Sequence, residues 1–527
     1  MKLKAYFKKH KLFYLFLSVY IAYLFFSINP GHLDSDEASY AMTGVFFERL
    51  ITDYASSPTL NPVKLYSYAK AYYVHYPKFM FLNGPLYHLI NALLFLIMPH
   101  SIMLMKLVTL VFSVLTVILT YHVTLLLFKD EPNKQEVSLL SAIFTATSAF
   151  FVRSSVTVML EIPSLFFFML GMYFYYKKKG LFSGFFFGLS ILVKDVSLPY
   201  VGVFSLIVLK NLKRQRLKYL LGLLVILVPY AALITASGSY TIFLDYPRKQ
   251  TYYIDRQGDP QWYELSGWLY YWQIIINNYS LMALPFIFVG LYYSYKRGYK
   301  GVLFYILMSF LAVTLMSDKA DRRVLNSVVV LSPLLALALS RVYTGLKSNR
   351  DKVVGVFTIV LMLVLQTPLF FPKPSVPMSA VAADLISNCP NCTILVASET
   401  AMAYSSYLMY ESLIRDSGVS LRFLRPTVFE SSNSQQVIDE ERVNRVVVVG
   451  DDEFITDDAE VDSYEGHVLF ITNHYNLVGV YESDVVGRIR VYDTGINDSK
   501  EPPHCVDSPS IGRSFCTDYD APLMALH

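Results

Sequence analysis

Eleven mainly apolar stretches, set apart by polar or charged segments, dominate the first 375 positions: 12–29, 102–128, 137–152, 157–176, 181–194, 197–209, 219–237, 268–295, 301–316, 324–340 and 353–371. A helix needs about 20 such residues to cross a hydrocarbon core of about 30 Å. The pattern therefore predicts a polytopic α-helical membrane protein with about 11 transmembrane helices, several of them short and closely spaced as in packed hairpins. Composition agrees, since 54% hydrophobic and 16% charged residues exclude a disordered chain and argue against an ordinary soluble enzyme.

The net charge of +4 conceals a division along the chain. Residues 1–375 hold 36 Lys+Arg against 17 Asp+Glu, whereas residues 376–527 hold 9 against 24. A basic, apolar part of +19 thus precedes a polar, acidic part of −15. Threading the spans alternately puts segments 1–11, 129–136, 177–180, 210–218, 296–300 and 341–352 on one side, where they carry 22 Lys+Arg. The positive-inside rule makes that side cytoplasmic. The expectation is a multi-pass plasma-membrane protein with a cytoplasmic N-terminus, an uncleaved signal anchor and an extracytoplasmic C-terminal part.

A first outer loop, 29–100, is long enough to be functional. Its pattern predicts an amphipathic helix over 36–53 and interfacial helices near 63–73 and 85–98, and its lone histidines His75 and His88 read as structural or exposed. Residues 1–375 form one expected domain and 376–527 a second, a soluble α/β domain with strands at 393–397, 445–450 and 467–472 and a helix at 401–416. Cys389, Cys392, Cys505 and Cys516 all fall in it. Outside the cytoplasm, Cys389/Cys392 and Cys505/Cys516 are candidate disulfides, other pairings staying open. Asn278, Asn391 and Asn497 occupy Asn-x-Ser/Thr triplets.

Once the topology is fixed, ionisable residues near the spans gather on the outer face: Asp34, Asp36 and Glu37, Arg153 and Glu161, Lys194 and Asp195, and Lys319, Asp321, Arg322 and Arg323. Charge at membrane depth is costly and marks sites, so this convergence predicts one polar cavity there. Asp36, Glu37 and Glu161 are candidate catalytic acids, competing with helix capping for the first two and with an Arg153–Glu161 pair for the third. Asp36 and Glu161 are also candidate ligands of a divalent metal ion. Lys78, Lys194, Lys319, Arg322 and Arg323 are candidate phosphate contacts, and Tyr40, Tyr76, Tyr87 and Arg153 candidate substrate contacts. Lys194 has the plainer option of pairing with Asp195.

Five segments in order, "DSDEASYA" at 34–41, Pro85-Leu86-Tyr87, "RSSVTVMLEIPSLFFFMLGMYFY" at 153–175, "FGLSILVKDVSLPYV" at 187–201 and "SDKADRRVLNSVVVLSPLLALAL" at 317–339, carry a resemblance. Over roughly residues 12–345 the chain resembles the integral-membrane C-type glycosyltransferases, in the branch of protein O-mannosyltransferases and lipid A aminoarabinose transferases. The resemblance implies an enzyme that moves a sugar from a polyisoprenyl-phosphate carrier, with inversion, to a protein, lipid or glycan acceptor outside the cytoplasm. It implies that Asp36 is the base or orienting carboxylate, that Glu37 is its companion, and that Glu161 matches an acid preceding Pro which is often Asp in the family. Lys194, Lys319 and Arg322 match cations that hold the carrier phosphate. The family's Lys-Pro-Pro-Leu-Tyr run stands here as Asn83-Gly84-Pro85-Leu86-Tyr87, so its phosphate-binding lysine is either replaced or moved to Lys78, and Arg323 stands where an aromatic residue is common. Membrane lipids are expected partners and nucleic acid is not. Rival readings are a transporter or flippase of lipid-linked sugars, which needs no base, and a non-catalytic receptor.

Overall fold

The computed structural model describes residues 10–28, 35–56, 84–98, 100–236, 263–315 and 325–346, then 378–389, 392–397, 420–423, 438–439, 442–449, 473–483, 487–496, 504–508 and 513–517, with isolated residues between. The helices are α1 (Lys11–Ser27), α2 (Ser35–Ser56), α3 (Leu86–Phe95), α4 (Ile102–Leu127), α5 (Lys134–Thr147), α6 (Ala149–Ser155), α7 (Glu161–Tyr176) and α8 (Gly180–Val193). They continue as α9 (Ser197–Asn211), α10 (Arg216–Ala236), α11 (Leu265–Tyr279), α12 (Ala283–Lys296), α13 (Lys300–Thr314), α14 (Leu325–Gly345) and α15 (Met378–Asn388).

Among the described residues, two of the predicted spans are bent pairs and not single helices. The 137–152 run is α5 and α6, bent by 64° at Ser148, and the 268–295 run is α11 and α12, bent by 106°. The second bend turns at Ser280, whose φ of 66° is left-handed. Asn278 explains the first: its side-chain oxygen accepts from the Phe150 N–H at 2.8 Å and from Ser148 Oγ at 3.2 Å, satisfying groups freed where α6 begins. Asn278 is 1% exposed. Its place in a glycosylation triplet therefore has no bearing on modification.

Among the described residues two helices, Ile102–Leu127 and Lys213–Ala232, are long and apolar enough to cross a membrane alone, and each bent pair qualifies as one span. Six apolar helices of 10–17 residues accompany them. At about 1.5 Å per residue these rise at most about 26 Å, short of a full hydrocarbon core. The 353–371 span lies mostly outside the described residues, as do the helices expected at 63–73 and 401–416. Tight packing is built on glycine where α8 crosses α10. A Cβ on Gly184 would lie 2.0 Å from the Tyr219 carbonyl oxygen and one on Gly222 2.1 Å from that of Leu181. Such small-residue contacts let membrane helices approach backbone to backbone.

At the basic-loop end, three predicted cytoplasmic segments meet. Glu131, 2% exposed at its side chain, pairs with Arg341 in the last turns of α14 and with Arg297 Nε at 3.7 Å after α12, and accepts from Tyr299 at 3.4 Å. Asn133 donates to Ser340 beside it. Glu131→Ala should therefore lower thermal stability in detergent by about 1–3 kcal/mol, because Arg341 is left 19% exposed without its carboxylate. An unchanged unfolding temperature would deny the cluster that role.

The C-terminal strands are β1 (Thr393–Ala397), β2 (Ser420–Phe423), β3 (Arg445–Val449), β4 (Asn476–Ser483), β5 (Gly487–Asp493), β6 (His504–Ser508) and β7 (Arg513–Thr517). Five form a mixed sheet in the order β2-β1-β3-β5-β4, parallel from β2 to β3 and antiparallel beyond. Side chains alternate along a strand. Ile394, Val447, Ile489 and Val491 accordingly join one apolar cluster, shared with α2 and α3, while Leu395, Val446, Val448 and Tyr492 join another. Ile471, expected in a strand, is helical, and the antiparallel half of the sheet is the β4–β5 hairpin instead. Cys389 and Cys392 form a disulfide with a Cα separation of 5.5 Å. Cys505 and Cys516 are Cα partners across β6 and β7; their side chains lie outside the described set.

Candidate active site

The first turn of α2 carries Asp36 and Glu37. Glu37 is 2% exposed, accepts a hydrogen bond from the Val158 N–H, and has Lys106 Nζ 4.0 Å from the same oxygen, Oε1. Lys106, near the start of α4, is equally buried. A buried carboxylate facing a buried ammonium, with the Val158 N–H on the same oxygen, ties α2 to α4 and to the turn before α7.

Three residues after Val158 a second pair begins. Glu161 opens α7 and accepts from Lys194 Nζ at 2.6 Å, directly after α8 ends. Ser164 holds these ends together: its hydroxyl meets Ser197 and donates to the Ser190 carbonyl at 3.0 Å, and Ser190 Oγ returns a bond to the Ser164 carbonyl at 2.9 Å. Both ion pairs therefore sit at the same end of the bundle, joined through residues 158–161.

The outer-loop helix α3 packs against this end. Tyr87 is fully buried and its hydroxyl meets Thr109 at 2.7 Å, one turn beyond Lys106. Gly84 touches the last turn of α8, where any Cβ would fall 1.7 Å from the Leu192 carbonyl oxygen, two residues before Lys194. A lysine or proline run of the family kind thus meets a different neighbour here: the glycine brings backbone against backbone. Tyr40 is 5% exposed with its ring centroid 5.7 Å from that of His88. His88 is itself buried, and burial pushes its imidazole down, toward the neutral form.

The structure thus brings together Glu37, Glu161, Lys194, Tyr40 and Tyr87. Arg153 does not join them: it is exposed at the end of α6, and the cation on Glu161 is Lys194. Asp36 is placed by its backbone in α2, with its side chain outside the described set, and Tyr76, Lys78, Lys319, Arg322 and Arg323 lie outside the described residues. Lys106 is the residue that sequence reasoning missed. A metal ion on Glu161 would have to displace or share the carboxylate that Lys194 already holds at 2.6 Å. The Asp36 carboxylate that would share such an ion lies outside the described residues.

No protein-family sequence model matches the chain, and no curated protein matches it by sequence. By structure it is similar to ArnT of Cupriavidus metallidurans, solved bound to undecaprenyl phosphate, with a TM-score of 0.54 and 12% identity over 91% of this chain and 97% of that one. It is likewise similar to the oligosaccharyltransferase AglB of Archaeoglobus fulgidus, solved with an inhibitory peptide and a dolichol-phosphate, with a TM-score of 0.54 and 12% identity over 92% of this chain and 74% of that one. At such identities the likeness is one of architecture: the chain has the fold of the integral-membrane C-type glycosyltransferases.

Proposed function

We propose that this protein transfers a sugar from a polyisoprenyl-phosphate carrier to an acceptor hydroxyl or amide on the extracytoplasmic side, with inversion. The carrying observation is the pair of buried Lys–Glu contacts, Lys106–Glu37 and Lys194–Glu161, joined at residues 158–161 of a bundle with this fold. The neighbours' own lipid phosphates, undecaprenyl phosphate in one and dolichol-phosphate in the other, support the choice of donor.

In the reaction the acceptor atom attacks the anomeric carbon from the face opposite the phosphate. The carbon–oxygen bond to phosphate breaks, its electron pair leaves with the carrier, and Asp36 takes the acceptor proton. Lys194, with Lys319 and Arg322, stabilises the departing phosphate, and Glu161 holds Lys194 in place between turnovers. The C-terminal sheet shares an apolar cluster with α2 and α3, which supports a part for it in acceptor entry.

Purified full-length protein in nanodiscs should release free polyisoprenyl phosphate from one member of a panel of lipid-linked hexoses, pentoses and aminosugars, in an acceptor-dependent way. Movement of intact lipid-linked sugar across vesicles without cleavage would replace the enzyme with a transporter.

A further inference from the structure

At the Lys-rich end of the bundle, the ends of α4, α7, α9 and α13 and the middle of α14 surround a cavity of about 260 Å³. It is separate from the site above: 21 residues of α4, about 32 Å, lie between Lys106 and Leu127 at its wall. Its interior is formed by Met169, Met172, Phe204, Val302 and Pro333. A buried water needs two to four polar partners, and these five side chains supply no strong donor or acceptor. Apolar cavities of about 150 Å³ already stay dry and accept apolar guests.

Polar groups also line the cavity, Asp130, Tyr175, Tyr176, Asn211 and Tyr299 among them, and Tyr305 is the one whose buried hydroxyl lacks a partner among the described residues. It is 1% exposed, with its ring packed 5.9 Å from Phe168 and 5.6 Å from Phe204. A buried orphan hydroxyl is costly, so a guest that places an acceptor there is favoured over plain hydrocarbon. Tyr305 lies six residues, about 9 Å, along α13 from Tyr299 at the rim. That rim also carries Lys129, its neighbour Asp130 and, donating to the Lys129 carbonyl at 2.7 Å, the Lys134 ammonium, so two cations face one acid there.

Cation at the rim, hydroxyl about 9 Å inward and apolar wall beyond match, in order, a phosphate, an ester carbonyl and a hydrocarbon chain. We propose that the cavity binds one acyl chain of an anionic membrane phospholipid, its ester carbonyl accepting from Tyr305 and its phosphate facing Lys129 and Lys134. The site draws on the bilayer leaflet beside the basic loops, where anionic headgroups concentrate near such cations.

The test uses full-length protein reconstituted in phosphatidylglycerol nanodiscs, re-extracted into detergent and weighed by native mass spectrometry. Wild type should keep one phospholipid after surface lipids have been stripped. Val302→Trp, which fills the cavity, should lose it, and Tyr305→Phe should lower the retained fraction roughly two- to tenfold while keeping the ring and its packing. Wild type without a phospholipid, an isoprenoid, free fatty acid or detergent molecule in its place, or Tyr305→Phe retention equal to wild type would each overturn the proposal. Because Tyr305→Phe preserves the buried ring, it decides the matter even where Val302→Trp does not fold.

Discussion

Asp36→Asn should lower acceptor-dependent release of polyisoprenyl phosphate by roughly 10²–10⁴-fold, with thermal stability changed by no more than about 0.5 kcal/mol. The expectation comes from its neighbour. Glu37 is committed, accepting from the Val158 N–H and facing Lys106 at 4.0 Å, and a carboxylate so engaged is a poor proton acceptor. Asp36 is then the acid of the pair left for base chemistry at the start of α2. Glu37→Gln gives the contrasting outcome. The amide can still accept from Val158, but Lys106, 3% exposed, loses the charge of Glu37, and weakening a buried pair in this way costs about 1–3 kcal/mol. Release assays and unfolding curves in one detergent separate the two. A fully active Asp36→Asn protein, or a Glu37→Gln protein as stable as wild type, would sink this division of labour.

How far the sequence foretold this arrangement depends on which force writes the signal. Apolar runs ended by charge are written by burial itself, so α1, α4, α8 and α9 fall within a few residues of their expected positions. Breaks inside such runs leave no hydropathy trace. Residues 268–295 read as one span because the turn at Ser280 needs only an unusual φ, and the bend at Ser148 is paid for by Asn278 from another helix. Lys106 was hidden for a similar reason: one lysine near the end of a 26-residue apolar helix resembles a snorkelling residue, and only the fold brings Glu37 beside it. Lys194 was legible as a cation, but its partner was not, since Asp195 is adjacent in the chain and Glu161 is 33 residues away. In the C-terminal sheet, β1 and β3 are near-continuous apolar strands and easy to see, as suits a sheet buried on both faces. The hairpin strand β4 carries a register shift between Leu477 and Gly479, which breaks the period-two pattern that would reveal it.

Lys194→Met and Glu161→Gln should each destabilise the protein by about 3–5 kcal/mol, since either leaves a charge buried without its 2.6 Å partner. The double variant Glu161→Leu/Lys194→Met removes both charges and should recover most of that loss, because well-packed apolar replacements of a buried pair are commonly neutral or stabilising. This recovery makes the functional question answerable. A pair that serves only to fasten α7 to α8 would give back activity along with stability. A lysine that also meets the carrier phosphate cannot be replaced by methionine, so the double variant should fold, bind the lipid-linked donor weakly and turn over roughly 10²–10³-fold more slowly, the size of effect seen when one preorganised charge-stabilising group is lost. Unfolding temperature, donor retention and phosphate release measured on the same three variants distinguish the outcomes. Recovery of release in step with recovery of stability would assign Lys194 to the fold and leave the leaving group to Lys319 and Arg322.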